Sequence, residues 1–181
     1  MKKIAFPLVI AAMSLASVAA HAGSSNGGVV TINGQLMANT CTVSGNGQGA
    51  NFTVTLPTLS AAELSAAGAT AGATGFNIAL SSCTPATGNV HTFWEYGTNT
   101  LADGNLKNNG TATNVEVQLL DYNGSQKVLN VSKADGAQNA QSVAIASGNA
   151  SLQYAAQYAS PAGGATAGTV TTTVTYSMVY Q

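Results

Sequence analysis

The sequence predicts an all-β protein, because segments of alternating apolar and polar residues recur at the spacing of a β-sandwich and only one short helix is indicated. The most regular segment comes last. One face of a strand there would carry Gly168, Val170, Thr172, Val174, Tyr176, Met178 and Tyr180, and the other Thr169, Thr171, Thr173, Thr175, Ser177 and Gln181. Val179 alone departs from this pattern.

This terminal strand is expected to be long and to have an open edge. From Thr169 to Tyr180 it would span roughly 40 Å at about 3.3 Å per residue. No sequence follows that could supply a neighbouring strand. The partner of its free edge must then come from elsewhere.

The remaining elements are short. A capping box at Ser60-Ala61-Ala62-Glu63 predicts a helix of about two turns that ends at Gly68. A turn at Asn123-Gly124 would join the strands on either side of it. Strands are predicted at Gly28–Leu36, Thr40–Val43, Asn51–Leu56, Phe76–Leu80, His91–Tyr96, Val115–Asp121, Lys127–Val131 and Leu152–Tyr158.

The N-terminus has the pattern of a secretory signal peptide. Lys2 and Lys3 precede an apolar run, and Ala20-His21-Ala22 forms a small-residue cleavage site. The alternative is a membrane anchor, since the run is close to spanning length. Pro7 and the cleavage triplet favour a signal peptide over residues 1–22, which leaves a secreted chain of 159 from 181 residues.

The composition of the secreted chain excludes some functions. It has no arginine, and three lysines against six acids give a net charge of −3. There is no basic surface for nucleic acid. Charged residues make up only 6% of the whole chain, against roughly a quarter in typical globular domains. Such a surface suits a protein that packs against copies of itself.

No pattern of catalytic or metal-binding residues is present. His91 is the sole histidine after the predicted cleavage site, and there is no Gly-x-Ser-x-Gly motif. The scattered acids do not form a metal-ligand cluster. Gly45–Gly49 lacks the Lys-Ser/Thr ending of a phosphate loop and is predicted to be a turn. The sequence therefore predicts neither an enzyme nor a cofactor.

Cys41 and Cys83 are the two cysteines of the chain. In a secreted protein a disulfide between them is the default expectation, and two free thiols are the alternative. Closing a loop of this length would stabilise the fold by about 4 kcal/mol in the chain-entropy model.

These residues resemble the subunits of chaperone–usher pili, and are most similar to type 1 major pilins. That family ends in a penultimate tyrosine, with a glycine fourteenth from the end and alternating apolar residues between them. The similarity covers most of the secreted chain and is weakest from Thr84 to Thr111. Its matching features are Gly168, Tyr180, the Cys41–Cys83 disulfide between the first two strands, Gly75–Leu80 and Thr113–Asp121.

The resemblance implies an incomplete immunoglobulin-like β-sandwich that lacks its final strand. Residues 23–38 would be an N-terminal donor-strand extension and residues 39–181 the pilin domain. The donor strand would present Gly28, Val30, Ile32, Gly34 and Leu36. The acceptor groove, also used by the chaperone, would be framed by Gly168, Val170, Val174, Tyr176, Met178 and Tyr180.

The implied function is that of a structural subunit of a bacterial surface fimbria that supports cell adhesion. Its partners would be further copies of itself, a periplasmic pilus chaperone and an outer-membrane usher. The chain would be exported through the periplasm to the cell surface. The host receptor is not identified by the sequence.

Alternatives remain at three points. Asn33-Gly34 is also a strong hairpin signal, although Val30, Ile32 and Leu36 keep one parity across it, which favours an extended strand. A minor adaptor pilin shares both termini with a major subunit. A different class is a secreted monomeric carbohydrate-binding β-sandwich that stacks sugars on Trp94, Tyr96, Tyr154 or Tyr158.

Overall fold

The computed structural model describes residues 29–34, 40–124 and 126–181. The predicted signal peptide, and Gly28 and Leu36 of the predicted donor strand, lie outside these ranges. The chain divides into two units, Met1–Leu36 and Met37–Gln181. Among the described residues there is no helix with the length and hydrophobicity that a membrane span requires.

The described part of the larger unit forms two antiparallel sheets. Their strands are β1 Thr40–Gly45, β2 Ala69–Thr84, β3 Gly88–Trp94, β4 Leu106–Lys107, β5 Glu116–Asp121, β6 Lys127–Val128, β7 Val143–Ile145, β8 Ala150–Ser160 and β9 Tyr176–Tyr180. In the first sheet the strand order is β1-β2-β8-β5-β4, with β6 also paired to β5. In the second sheet it is β7-β3-β9.

Apolar residues from both sheets meet in one core, which makes the domain a β-sandwich and confirms the predicted all-β class. Trp94 of β3 is central to it. Its ring contacts that of Tyr154 in β8 edge to face, with centroids 5.2 Å apart, and also contacts Phe76 of β2. Such aromatic pairs stabilise a core beyond the area they bury.

The disulfide prediction is confirmed. Cys41 of β1 is bonded to Cys83 of β2 across neighbouring antiparallel strands. The two sulfurs therefore tie the first strand of the domain to the long strand that carries much of the core.

Residues 51–56 do not form the predicted strand, although their side chains alternate as predicted. Phe52, Val54 and Leu56 are half-buried and alternate with exposed residues, yet the segment belongs to no sheet. A strand requires a hydrogen-bonded neighbour. Within the described residues, the Gln48 side chain bonds to the Thr53 backbone in this stretch, and the Tyr176 hydroxyl bonds to Ala50 just before it.

The predicted two-turn helix is also wrong in length. The structure has a single 3₁₀ turn, Ala61–Leu64, with the Ser60 hydroxyl accepting a hydrogen bond from the Ala62 N–H. The chain reverses at Gly68, whose φ of +77° is left-handed, and enters β2 at Ala69. Residues 65–68 are bonded to the end of β8 and the loop after it and not to a second turn: Gly164 N–H donates to the Ser65 carbonyl at 3.0 Å, and Gly68 N–H donates to the Ser160 carbonyl at 2.9 Å.

Other boundaries shift by a few residues. The strand predicted at His91–Tyr96 spans Gly88–Trp94, and the strand predicted at Lys127–Val131 is regular only over Lys127–Val128. The turn at Asn123-Gly124 does connect paired strands, β5 and β6. The terminal strand, predicted from Thr169 to Tyr180, is regular only over Tyr176–Tyr180.

Candidate functional site

An elongated groove of about 850 Å³ runs between residues 50–56 and residues 170–178 of the larger unit. Phe52, Val54 and Leu56 line one side. Aromatic and aliphatic core residues form its floor, among them Phe76, Trp94, Leu106, Val117, Leu119 and Ala156. None of the described residues that line the groove carries a charge, so an apolar segment could enter it without desolvating a charged side chain of this lining.

The terminal segment forms the other side, with the alternation that the sequence predicted. Val170, Thr172, Val174, Tyr176, Met178 and Tyr180 are half-buried, whereas Thr169, Thr171, Thr173 and Thr175 are exposed. The predicted groove residues Val170, Val174, Tyr176 and Met178 line the groove. Tyr180 packs against the core at the end of β9, opposite Val90 of β3.

One edge of this segment is occupied. Asn89 and Gln181 exchange two backbone hydrogen bonds, and Glu95 N–H donates to the Thr175 carbonyl at 2.8 Å. Hydrogen-bonded pairs alternate with non-bonded pairs in an antiparallel ladder. The odd-numbered residues therefore direct their backbone groups toward β3.

The even-numbered residues direct theirs the other way, toward the groove. Among the described residues, no hydrogen bond reaches the backbone of Val170, Thr172 or Val174. In the described part of the chain, no strand pairs with this second edge of β9. The groove thus presents an apolar floor beside a row of free backbone donors and acceptors, which is what an added strand needs.

Between residues 169 and 175 the terminal segment has no regular ladder with β3, which is why β9 is shorter than predicted. It is held by side chains and by two backbone bonds, from Asn109 N–H to the Thr171 carbonyl and from Ala112 N–H to the Thr169 carbonyl. Thr171 N–H donates to Asn108 Oδ1 at 2.9 Å, and Asn99 Nδ2 donates to the Thr173 carbonyl at 3.1 Å. Thr169 N–H donates to Thr111 Oγ1. Sequence analysis missed Asn99, Asn108 and Thr111. The asparagine-rich stretch 105–109 was a signal for Asn108 alone, and nothing local marked the other two.

Gly168 lies where the backbone of the terminal segment comes closest to its neighbour. A Cβ atom there would be 2.5 Å from the Ala112 nitrogen and 2.8 Å from the Thr111 carbonyl carbon. A side chain would push the segment away from residues 111–112. The glycine is therefore explained by close backbone approach.

One tyrosine links the two sides of the groove, and a second, on β8, bonds to the residue that follows the 50–56 side. Tyr176 Oη donates to the Ala50 carbonyl at 2.7 Å, and its ring contacts Phe52 with centroids 5.9 Å apart. Tyr158 Oη donates to the Pro57 carbonyl at 3.2 Å. Burial raises the pKa of Tyr176 and that of Tyr180 above the ordinary value, so both phenols stay protonated donors near neutral pH.

The predicted donor residues that the structure describes belong to the smaller unit. Val30 is 83% exposed and Ile32 89% exposed, and Gly34 has open space around it. Residues 29–34 form neither a strand nor a hydrogen-bonded turn, so no hairpin is present within them. Gly28 and Leu36 lie outside the described residues.

The four aromatic side chains considered for sugar stacking differ in their exposure to solvent. Trp94 and Tyr154 are enclosed in the core, and the hydroxyl of the half-buried Tyr158 is bonded to Pro57. Tyr96 is exposed. A continuous aromatic platform for a sugar is therefore not formed by these side chains.

His91 is paired rather than available at a site. Its Nε2 lies 2.7 Å from Asp135 Oδ1, and its side chain is buried. The described residues contain no group of three or more histidine, cysteine or acidic side chains that could hold a metal ion.

The fold and groove together define an immunoglobulin-like sandwich that lacks its last strand. The chain matches the family described as Type-1 fimbrial protein, A, over residues 56–181. It is 42% identical over 164 residues to the F17 fimbrial protein of Escherichia coli, covering 86% of this chain and 87% of that one.

Two further comparisons agree. The chain is 40% identical over 150 residues to the major fimbrial subunit SMF-1 of Stenotrophomonas maltophilia, covering 80% of this chain and 85% of the relative. The crystal structure of the P pilus rod subunit PapA has the same fold, with a TM-score of 0.56 at 19% identity over 78% of this chain and 99% of that one. The chain belongs to the type-1 fimbrial protein family: it is a structural subunit of a surface fimbria and not an enzyme.

Proposed function

We propose that the subunit polymerises by strand addition, with residues 23–38 of one copy inserted into the groove of the next. The observation that carries this proposal is the free groove edge at Val170, Thr172 and Val174 beside an apolar floor. A strand laid there would pair its backbone with these residues and bury its alternate side chains. Residues 39–181 are then the acceptor domain and residues 1–22 a signal peptide removed before assembly.

The proposed donor has the matching chemistry. Val30, Ile32 and Leu36 share one parity and would face the floor, with Gly28 and Gly34 fitting where little room is left. Residues 25–39 carry no charge, as the groove lining carries none. The exposure of Val30 and Ile32 supports their burial in a partner.

The free energy available from strand insertion is sufficient for a stable contact between two subunits. Burying three aliphatic side chains contributes about 5–8 kcal/mol. Some ten main-chain hydrogen bonds add roughly 1 kcal/mol each, and ordering a flexible extension offsets part of the total. Because donor and groove are different surfaces of one chain, the contact is heterologous and produces an open filament.

Before assembly, an apolar groove with a free edge would promote aggregation. A periplasmic chaperone that lends a strand to Gly168–Tyr180 would prevent this, and an outer-membrane usher would exchange that strand for the next subunit's extension. These partners come from the resemblance to chaperone–usher pilins; the open edge at Val170–Val174 supports them.

The proposal is tested with a chain that begins at Ala38 and a synthetic peptide covering Ser25–Asn39. We expect the shortened chain to be weakly stable and its melting temperature to rise strongly with the peptide, since the ligand binds only the folded state. A well-folded chain whose melting temperature ignores the peptide would contradict strand addition.

Neighbouring residues of opposite parity give a matched control. Val174→Asn places an amide in the apolar groove, which should weaken peptide binding by about tenfold or more. Thr175→Asn alters an exposed side chain and should leave the affinity unchanged. Equal effects at the two positions would show that the peptide does not lie in this groove.

A further inference from the structure

Asn33 and Gly34 form an unprotected Asn-Gly pair in the proposed donor strand. Both are exposed, and a Cβ placed on Gly34 would have no atom within 4 Å. Within the described part of the chain, neither residue takes part in a hydrogen bond. An asparagine followed by glycine is the sequence most open to attack on its side-chain amide, because glycine adds no side chain to hinder the following nitrogen.

The other described Asn-Gly pairs are held by the domain. Asn123 accepts from the Gln153 N–H at 2.7 Å and donates to the Gln153 carbonyl at 3.1 Å. At Asn109-Gly110 the attacking nitrogen is engaged, since Gly110 N–H donates to Asn108 Oδ1 at 2.8 Å. These pairs provide internal controls within one chain.

Asn46-Gly47 is restrained differently. Asn46 has a left-handed φ of 48°, and its N–H donates to the Asn77 carbonyl at 2.7 Å. The surrounding turn is closed by a bond from Gly45 N–H to the Gly49 carbonyl. Of the described pairs, Asn33-Gly34 alone has neither its side chain nor its backbone engaged in a described hydrogen bond.

We propose that Asn33 is a deamidation site that is reactive in the unassembled subunit and protected in the fibre. The Gly34 main-chain nitrogen attacks Asn33 Cγ, a C–N bond forms, and the side-chain nitrogen leaves as ammonia. Water then opens the resulting five-membered imide at either carbonyl and yields aspartate or isoaspartate. Water is the only co-reactant, and no oxidation or reduction occurs.

Protection in the fibre rests on the proposed strand addition. In a strand, the backbone of Asn33 is held extended by the ladder hydrogen bonds of neighbouring residues. Ring closure needs that backbone to turn so that the Gly34 nitrogen reaches the Asn33 side chain. Insertion prevents this turn, so assembly arrests the reaction.

The deamidated chain differs from the original in its backbone length and charge, and both changes affect insertion of the donor strand. Isoaspartate routes the main chain through the former side chain and lengthens the backbone by one carbon, about 1.5 Å. Leu36 is then displaced relative to Val30 and Ile32, although all must face one floor. The new carboxylate at residue 33 would also lie between two uncharged surfaces, the donor segment and the groove lining. Subunits that wait unassembled thus become poor donors.

The first test compares unpolymerised subunit and fibres of the full secreted chain, aged in the same buffer. Peptide mapping that separates isoaspartate from asparagine is applied to residues 33, 46, 109 and 123. We expect conversion at Asn33 to exceed that at Asn109 and Asn123 several-fold in the unpolymerised subunit. In fibres we expect it to fall to the level of Asn123. Conversion at Asn33 no faster than at Asn109, or equally fast in fibres, would overturn the proposal.

The second test follows the full secreted chain into fibres. Unpolymerised subunit is aged and then allowed to polymerise, and residue 33 is mapped in the fibres and in the subunit left over. We expect isoaspartate at residue 33 to be depleted from the fibres several-fold more than aspartate, which has the charge without the longer backbone. Equal depletion of the two would overturn the register argument. If unmodified subunit forms no fibres, strand addition itself fails, whereas the conversion rates of the unpolymerised subunit still decide whether Asn33 is the reactive site. Asn33→Gln should abolish the conversion at residue 33 and leave the rates at Asn109 and Asn123 as they are.

Discussion

The hydroxyl of Tyr176 donates a 2.7 Å hydrogen bond to the carbonyl oxygen of Ala50, so the two sides of the groove are joined directly. The bond fixes residues 50–56, which have no strand partner of their own, against the strand that the donor would pair with. Tyr158 of β8 bonds to Pro57, just beyond this segment, and so joins it to the first sheet. An incoming strand must therefore displace or accommodate the link between Tyr176 and Ala50.

Tyr176→Phe removes this link and keeps the ring in place. We expect a loss of about 1 kcal/mol in the free energy of unfolding. Residues 50–56 should exchange their amide hydrogens faster, and the Ser25–Asn39 peptide should associate faster with the chain that begins at Ala38. Hydrogen exchange and stopped-flow binding measure the two effects.

Tyr96→Phe is the control, because Tyr96 is exposed and its hydroxyl makes no hydrogen bond to the described residues. It should leave both rates as they are. Unchanged exchange in residues 50–56 of Tyr176→Phe would show that the hydroxyl link does not hold this segment.

Gln138, which precedes β7, bonds to the part of β3 that β7 does not reach. Its Oε1 accepts from the Trp94 N–H at 3.0 Å, and its Nε2 donates to the Trp94 carbonyl at 2.7 Å. The side chain is almost fully buried and also donates to the Lys133 carbonyl. It acts as a strand partner for one residue of β3.

Gln138→Leu leaves buried backbone groups of Trp94 without partners. Each such group costs about 1–3 kcal/mol, so the free energy of unfolding in urea should fall by at least that amount. Gln157→Met, at a partly exposed glutamine on β8, should cost less. Similar losses for the two variants would argue against a sheet-completing role for Gln138.

What the sequence could predict here was local. Period-two alternation identified the groove-facing residues from Val170 to Tyr180, because side-chain direction in a strand depends on the backbone alone. The same pattern placed Phe52, Val54 and Leu56 on one face. It could not show that residues 51–56 lack a partner, since pairing depends on which chain segments meet.

Side-chain substitutes for backbone pairing were also beyond the sequence. Gln138 reaches Trp94 across 44 residues, and Asn99 reaches Thr173 across 74. Nothing in the neighbouring residues specifies these contacts. The helix at Ser60 was overestimated because the capping residues mark where a helix begins and not where the adjoining strand requires it to end.

The disulfide should contribute strongly to stability. Cys41 and Cys83 are 42 residues apart, a loop whose closure is worth about 4 kcal/mol in the chain-entropy model. The double variant Cys41→Ala, Cys83→Ala should lose about that much free energy of unfolding and give less fibre. Reduced wild-type protein should behave similarly. A loss well under 1 kcal/mol would contradict the expectation.

Asp135 should give the fold a specific dependence on acid. The hydrogen bond from His91 lowers the pKa of the Asp135 carboxyl below its ordinary value of 3.8. A group with a lowered folded pKa stabilises the fold above its unfolded value, and that contribution is lost as the pH falls through the folded value. Asp135→Asn should therefore be less stable than wild type above pH 3.8, with the difference shrinking in stronger acid.

Urea unfolding of the two proteins across the acid range measures this. Asp135 is half exposed, so solvent screening keeps the effect small. Parallel stability curves, with a constant offset at every pH, would mean that the His91–Asp135 pair does not couple folding to protonation.

Gly168 gives the sharpest test of how the terminal segment is seated. In Gly168→Ala the new methyl group would lie 2.5 Å from the Ala112 nitrogen, and backbone atoms cannot move aside as a flexible side chain could. The segment should shift outward and strain its bonds to Asn108 and Thr111. We expect a loss of roughly 1–3 kcal/mol in the free energy of unfolding and weaker binding of the Ser25–Asn39 peptide. Gly97→Ala is the matched control, because no atom lies within 4 Å of a Cβ there. If both variants keep wild-type stability and peptide affinity, the close approach of Gly168 to residues 111–112 does not set the position of the groove edge.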